Sequence, residues 1–275
     1  MKEKKWNRLF ISVLFLVVFV FCAVLFLDKL DISRPEDDTP PDIVEPTDDG
    51  KYDKASLKET WKANHDLNPD YKGQIIFDSG LIDLPFVQGS SNDTYLRTDW
   101  STGKRDEEGS IFLDAENTYR DQNLVIYGHF VYPNLDPERT HKFSPLEKLL
   151  KKDNYEENKN LILVLEKEIR EYEVVLVFYC ELLPDESGEY VYTRDDLQYY
   201  WFNKGEDYID VFARTINEDY YNDYISAAKK EAPYKIDAEY DFDDKYLTLQ
   251  TCVENHDELR EIVLCKEIGR VSLED

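Results

Sequence analysis

Apolar residues in this chain recur in short runs, and the runs differ in period. "GQIIF", "LIDLPFVQG", "GSIFLD", "NLVIYGH", "NLILVLEK", "REYEVVLVFYC", "KYLTLQTC" and "REIVLC" are punctuated by Gly, Pro, Asn and Asp. Many short strands separated by turn residues predict a mainly β domain, a barrel or a sandwich. Ahead of them, "KASLKETWKANHD" sets Ala55, Leu57 and Trp61 near helical spacing and predicts a short opening helix. Two helical patches interrupt the strands. "SPLEKLLKKDN" is one. In the other, "EDYIDVFARTINEDYYNDYISAAKKE", Ile209, Phe212, Ile216, Tyr220 and Tyr224 recur every three or four residues. That predicts a long amphipathic helix packed on the barrel, its aromatic stripe serving the core.

One run is of another kind. Nineteen residues from Leu9 to Leu27 carry no charge, enough at helical rise to span a hydrocarbon layer of ~30 Å. Lys2, Lys4, Lys5 and Arg8 precede it, so residues 1–8 are expected in the cytoplasm and everything after Leu27 outside. No small-residue cleavage site follows, and bulky Phe21 spoils a lipoprotein signal at Cys22, so 9–27 is read as an uncleaved single-pass anchor in the cell membrane. Residues 28–50 are rich in Pro and Asp and almost free of aromatics, which predicts a disordered linker. Residues 51–275 then form a single extracellular domain, without internal repeat or second linker.

Composition narrows the classes. A formal charge of −26 leaves no basic surface to neutralise phosphates, which excludes nucleic acid and argues against docking on anionic lipid. The acidity reads as solubility. The cysteines, Cys22, Cys180, Cys252 and Cys265, form no CxxC pair and no Cys/His cluster, so neither a zinc site nor a dense disulfide framework is suggested. No metal or cofactor is expected.

Candidate chemistry gathers near the C-terminus. In "KYLTLQTC" a strand puts Leu247, Leu249 and Thr251 on one face and Tyr246, Thr248, Gln250 and Cys252 on the other. Cys252 thus shares the more polar face at a strand end, whereas Cys180 and Cys265 sit in apolar runs as packing residues. His65, His141 and His256 read as solvated side chains. His129 differs, because it ends the apolar strand "NLVIYGH" straight after a glycine. A thiol and an imidazole at two strand ends would meet only through the fold, as a nucleophile and its base do. Taken alone, each residue also has a plain structural reading.

"TLQTC" resembles the TLxTC signature of sortases, and Arg260 follows after a short loop as that family requires. Upstream, "NPDYKGQIIF", "LPFVQGSSNDTYL", "GSIFLD" and "NLVIYGH" resemble, in order, the blocks of class B sortases, so the similarity runs from about Asn68 to Lys266. Gln74 departs from it, standing where many relatives have Trp. The resemblance implies a closed barrel of about eight strands with an N-terminal helix, and a long helix inserted before the Cys252 strand. It implies a membrane-anchored cysteine transpeptidase on a Gram-positive cell surface. Such an enzyme cuts a C-terminal sorting signal, NPxTx-like, after Thr, and holds the product as a thioester on Cys252. A peptidoglycan precursor amine then releases it. In these roles Cys252 attacks as thiolate, His129 as imidazolium protonates the leaving amine, and Arg260 stabilises the oxyanion or holds the substrate backbone. Otherwise Arg260 is a partly exposed surface charge paired with Glu258 or Glu261. By motif position Asn92, Leu96 and Thr251 are expected to bind substrate. A pilin-polymerising sortase using a lysine amine, a hydrolase, and a non-catalytic peptide-binding barrel are the alternatives.

Overall fold

Alternation carries Tyr71–Phe77 into the first strand: Tyr71, Gly73, Ile75 and Phe77 are buried and the residues between them half-buried. The computed structural model describes residues 51–181 and 218–274. These all lie in one compact unit, Val44–Asp275. Helix α1 (Lys54–Leu67) comes first, its end capped by Asp53, which accepts from the Ser56 amide at 3.1 Å. The strands follow as β1 (Tyr71–Phe77), β2 (Asp83–Val87), β3 (Ile111–Leu113), β4 (Asn123–Tyr127) and β5 (Asn160–Val164). Then come β6 (Glu168–Glu181), β7 (Tyr246–Val253) and β8 (His256–Ser272). Short helix α2 (Tyr155–Asn158) precedes β5, and α3 (Glu218–Glu231) lies between β6 and β7.

The eight strands close into a barrel in the order β1-β2-β3-β4-β7-β8-β6-β5. Every one of the eight apolar runs is a strand. Most pairs are antiparallel, but β2–β3 and β4–β7 are parallel. All strands send residues to one lumen core, which includes Ile75, Phe86, Leu113, Ile126, Leu163, Val177, Leu249 and Val263. The patch "SPLEKLLKKDN" forms two 3₁₀ turns, Ser144–Leu150 and Lys152–Asn154. Side chains three apart eclipse in that geometry, so Leu146 and Leu149 join Phe143 in sealing the lumen.

A second core lies on the outer face of the β4, β7, β8 and β6 wall. There Val125, Tyr246, Ile262, Leu264 and Phe178 meet Tyr221, Tyr224, Ile225 and Ala228 of α3. The Tyr221 and Tyr246 hydroxyls lie 2.7 Å apart, and the Phe178 and Tyr224 rings meet edge-on. Of the expected apolar stripe, Tyr224 is in this core, whereas Ile209, Phe212 and Ile216 lie outside the described residues. The helix changes one expectation. Tyr246, Thr248 and Gln250, read from sequence as the more polar face, are as buried as the leucines between them.

Among the described residues no helix is long and apolar enough to cross a membrane. The expected anchor at 9–27 and linker at 28–50 lie outside the described residues.

Candidate active site

The site begins with two parallel strands. β4 and β7 run in register from Asn123 opposite Tyr246 to Tyr127 opposite Gln250. Just beyond, the Gly128 amide donates to the Gln250 carbonyl at 3.1 Å. Parallel strands place equivalent residues side by side, so His129 and Cys252, each two positions past the last pair, come to the same edge. Gly128 is required between them because a Cβ there would lie 2.6 Å from the Phe143 ring. His129 and Cys252 are half-buried and line one cavity of about 20 Å³ with Leu96, Phe112, Tyr127 and Gln250.

Arg260 arrives from the other side of β7. The antiparallel β7–β8 ladder sets it opposite Cys252, and the β6–β8 ladder sets it opposite Cys180. The expectation of a partly exposed arginine is corrected here, since Arg260 is 0% exposed and is among the largest fully buried side chains. β8 is paired on both sides there, with β7 and with β6, and Arg260 shares its face with Ile262 and Leu264 of the outer core. Its Nη1 donates to the Leu259 carbonyl at 2.7 Å. Glu261 cannot be its partner by alternation, because it points to the lumen side.

No family model matches the chain. A curated sortase B of Staphylococcus aureus is 26% identical over 209 residues, 75% of this chain and 73% of the relative. A sortase B of Listeria monocytogenes is 27% identical over 188 residues, 68% of this chain and 64% of that relative. Among solved structures, a Clostridium perfringens sortase B superposes with a TM-score of 0.56 at 25% identity, covering 76% of this chain and 99% of that one. A Staphylococcus aureus sortase B, at 20% identity, shares the fold with a TM-score of 0.60 over 78% of this chain and 95% of its own. Sequence and fold together support a class B sortase. The chain is a cysteine transpeptidase built on a closed eight-stranded barrel.

Electrostatics in this sortase separate its thiols and poise its histidine. Burial pushes the Cys180 thiol up to about 12, against the lowering influence of Arg260, and pushes Cys265 higher still. Both are free, buried and poorly reactive. Burial also holds the His129 imidazole below its ordinary value, helped by the positive charges of Arg97, Lys142 and Arg260 and opposed by a hydrogen bond to Leu96. These influences favour the neutral imidazole over the imidazolium that the sequence reading expects. His129 Nε2 lies 2.7 Å from the Leu96 carbonyl oxygen. A carbonyl only accepts, so Nε2 carries the proton and Nδ1 is the basic nitrogen.

The remaining expected residues take different places. Leu96 lines the cavity and anchors His129 through its carbonyl. Asn92 is fully buried; its Nδ2 donates to Asp114 Oδ2 at 3.2 Å, and its Oδ1 accepts from the Ala115 amide at 2.7 Å. Asp114 in turn accepts from the Tyr127 hydroxyl at 2.8 Å, so Asn92 braces the cavity wall. Thr251 is buried on the lumen side, opposite Glu261. Sequence reasoning missed Gln250, which is buried in the cavity wall with an amide oxygen that accepts no hydrogen bond among the described residues. Its signal was its place two before Cys252 on the same face of the strand. Among the described residues no group of three or more His, Cys, Asp or Glu is placed to hold a metal ion.

Proposed function

We propose that Cys252, His129 and Arg260 are the catalytic set of an anchoring transpeptidase. It cuts an NPxTx-like sorting signal after Thr and joins the surface protein to a peptidoglycan amine. The observation that carries this reading is the β4–β7 parallel pairing, which sets a thiol and an imidazole in one small cavity beside a buried guanidinium.

Neutral His129 takes the thiol proton as sulfur attacks the Thr carbonyl carbon, and the carbonyl π electrons move onto oxygen. Arg260 supplies fixed positive charge to that oxygen or to the neighbouring backbone. When the intermediate collapses, the C–N bond breaks and the imidazolium gives its proton to the leaving amine. The acyl group remains on sulfur as a thioester. An incoming amine attacks the thioester carbonyl and gives up a proton through His129, and the thiol is restored. The burial that lowers the His129 pKa makes its imidazolium a stronger acid, which suits donation to an amine. Buried Cys180 and Cys265 offer no competing nucleophile.

The NPxTx-like motif, the choice of a peptidoglycan amine and the extracellular placement rest on the class B resemblance and on the charge pattern around Leu9–Leu27. Membrane anchoring by that segment is part of the proposal.

Mass spectrometry of purified protein with defined sorting peptides, with and without a primary amine, tests the reading. The expected products are an acyl-enzyme adduct on Cys252 and a new amide at the Thr carbonyl. Release by water alone in excess amine would make the protein a hydrolase. Transfer confined to lysine side chains would make it a pilin polymerase. Cleavage by a Cys252→Ala variant would overturn the mechanism.

A further inference from the structure

The segment leaving His129 folds back to it. The Phe143 amide donates to the His129 carbonyl at 3.1 Å, and Phe130 pairs with Lys142 across the neck of the loop. Asp136 braces the loop from inside, accepting at Oδ2 from the Thr140 and His141 amides at 2.7 and 2.8 Å. Burial works against the charge on Asp136, yet these amides hold its carboxyl below the usual range. Within this frame Arg139 adopts φ 55°, a left-handed conformation disfavoured for a residue with a Cβ. Its side chain reaches back to the start of the loop, where Nη1 donates to the Val131 carbonyl at 3.5 Å.

Three elements meet at that guanidinium. Nη2 lies 2.7 Å from Glu254 Oε2, and Nε lies 3.5 Å from Glu147 Oε2. The guanidinium carbon stands 4.7 Å from the centre of the Phe130 ring. Phe130 follows His129 in the chain, and Glu254 lies in the turn after Cys252. The β4–β7 ladder ends at Tyr127 and Gln250, so no pairing between these two strands holds His129 against Cys252, although β8 still pairs with Cys252.

We propose that Arg139 is a positioning residue that ties the His129 strand end to the turn after Cys252 and so fixes the spacing of imidazole and thiol. The proposal rests on the reading of Cys252 and His129 as the reacting pair. Arg139 touches neither of them; it acts through Phe130 and Glu254. Its contribution therefore falls on the chemical step and on thiol activation, with little effect on peptide affinity.

The test uses the full-length protein and four variants: Arg139→Gln, Glu254→Gln, the double variant, and the exchange Arg139→Glu with Glu254→Arg. Each single change is expected to lower kcat about 10-fold while KM for a sorting peptide stays within about 2-fold. The double variant should lose no more than the worse single, and the exchange should recover part of the rate. Iodoacetamide capture of Cys252 at neutral pH should slow in parallel with kcat, a readout that a merely structural loss would not move. Wild-type kcat in a folded Glu254→Gln variant, or losses that add in the double, would overturn the proposal. Should Arg139→Gln not fold, Glu254→Gln still decides the matter. An active Cys252→Ala protein would instead remove the reading beneath it.

Discussion

Gly109 makes room for the Leu96 carbonyl, the acceptor that fixes His129. A Cβ at Gly109 would lie 2.3 Å from that oxygen, and the residue also holds φ +56°. Gly103 has nearly the same backbone, φ +65°, but its missing Cβ would meet nothing within 4 Å. Gly103→Ala is expected to cost about 1 kcal/mol of stability with unchanged activity. Gly109→Ala should cost that and also push Leu96 away, leaving the imidazole unanchored and lowering kcat roughly 10-fold or more. Melting curves and kcat measured on both proteins separate strain from catalysis.

Arg260 is buried opposite Cys252, so directed hydrogen bonding should matter more than charge alone. Lysine keeps the charge but loses the planar fork. Arg260→Lys is expected to lose about 10²-fold in thioester formation, the scale of a missing oxyanion donor. Because the site is closed, some stability should go as well. Single-turnover acylation followed beside thermal melting checks both, and near wild-type acylation would return Arg260 to a packing role.

Glu261 carries a stability signature. It is 2% exposed, one carboxyl oxygen accepts nothing among the described residues, and burial followed by repulsion from Glu147 pushes it up to about 8. The folded protein then holds a proton that the unfolded chain releases near the ordinary value of 4.5. Stability from this group is complete below that value and is lost as pH rises toward 8. Glu261→Gln should be more stable than the parent at pH 8, on the order of a few kcal/mol, with no gain at pH 4. The lowered pKa of His129 gives the opposite slope, a loss below its ordinary 6.5, so measurements between pH 7 and 9 isolate the carboxyl. A flat difference between the two proteins across that range would refute the assignment.

Thiol labelling should be selective. Cys180 and Cys265 are buried with raised pKa values, whereas Cys252 is half-buried at its cavity. Of these three, iodoacetamide on the native protein is expected to modify Cys252 alone, with loss of activity, and all three after unfolding. Peptide mapping by mass spectrometry would show this directly, and rapid native labelling of Cys180 would contradict the packing.

Some of this was legible along the chain. Short runs bounded by turn residues marked all eight strands, because local propensity and period-2 alternation need no tertiary information. Alternation also put Cys252 with Gln250, and Arg260 with Ile262 and Leu264, since side-chain direction follows from the strand itself. The ordered motifs ending in "TLQTC" and an arginine carried the family. What alternation lacks is any record of what covers each face. Helix α3 packs on the outer wall, so Tyr246 on the face read as polar is buried, and Arg260 is closed in between two neighbouring strands. Nor does a strand name its neighbour. Residues 123–127 and 246–250 are far apart in sequence, and only closure of the barrel pairs them in parallel, bringing a thiol and an imidazole to one edge.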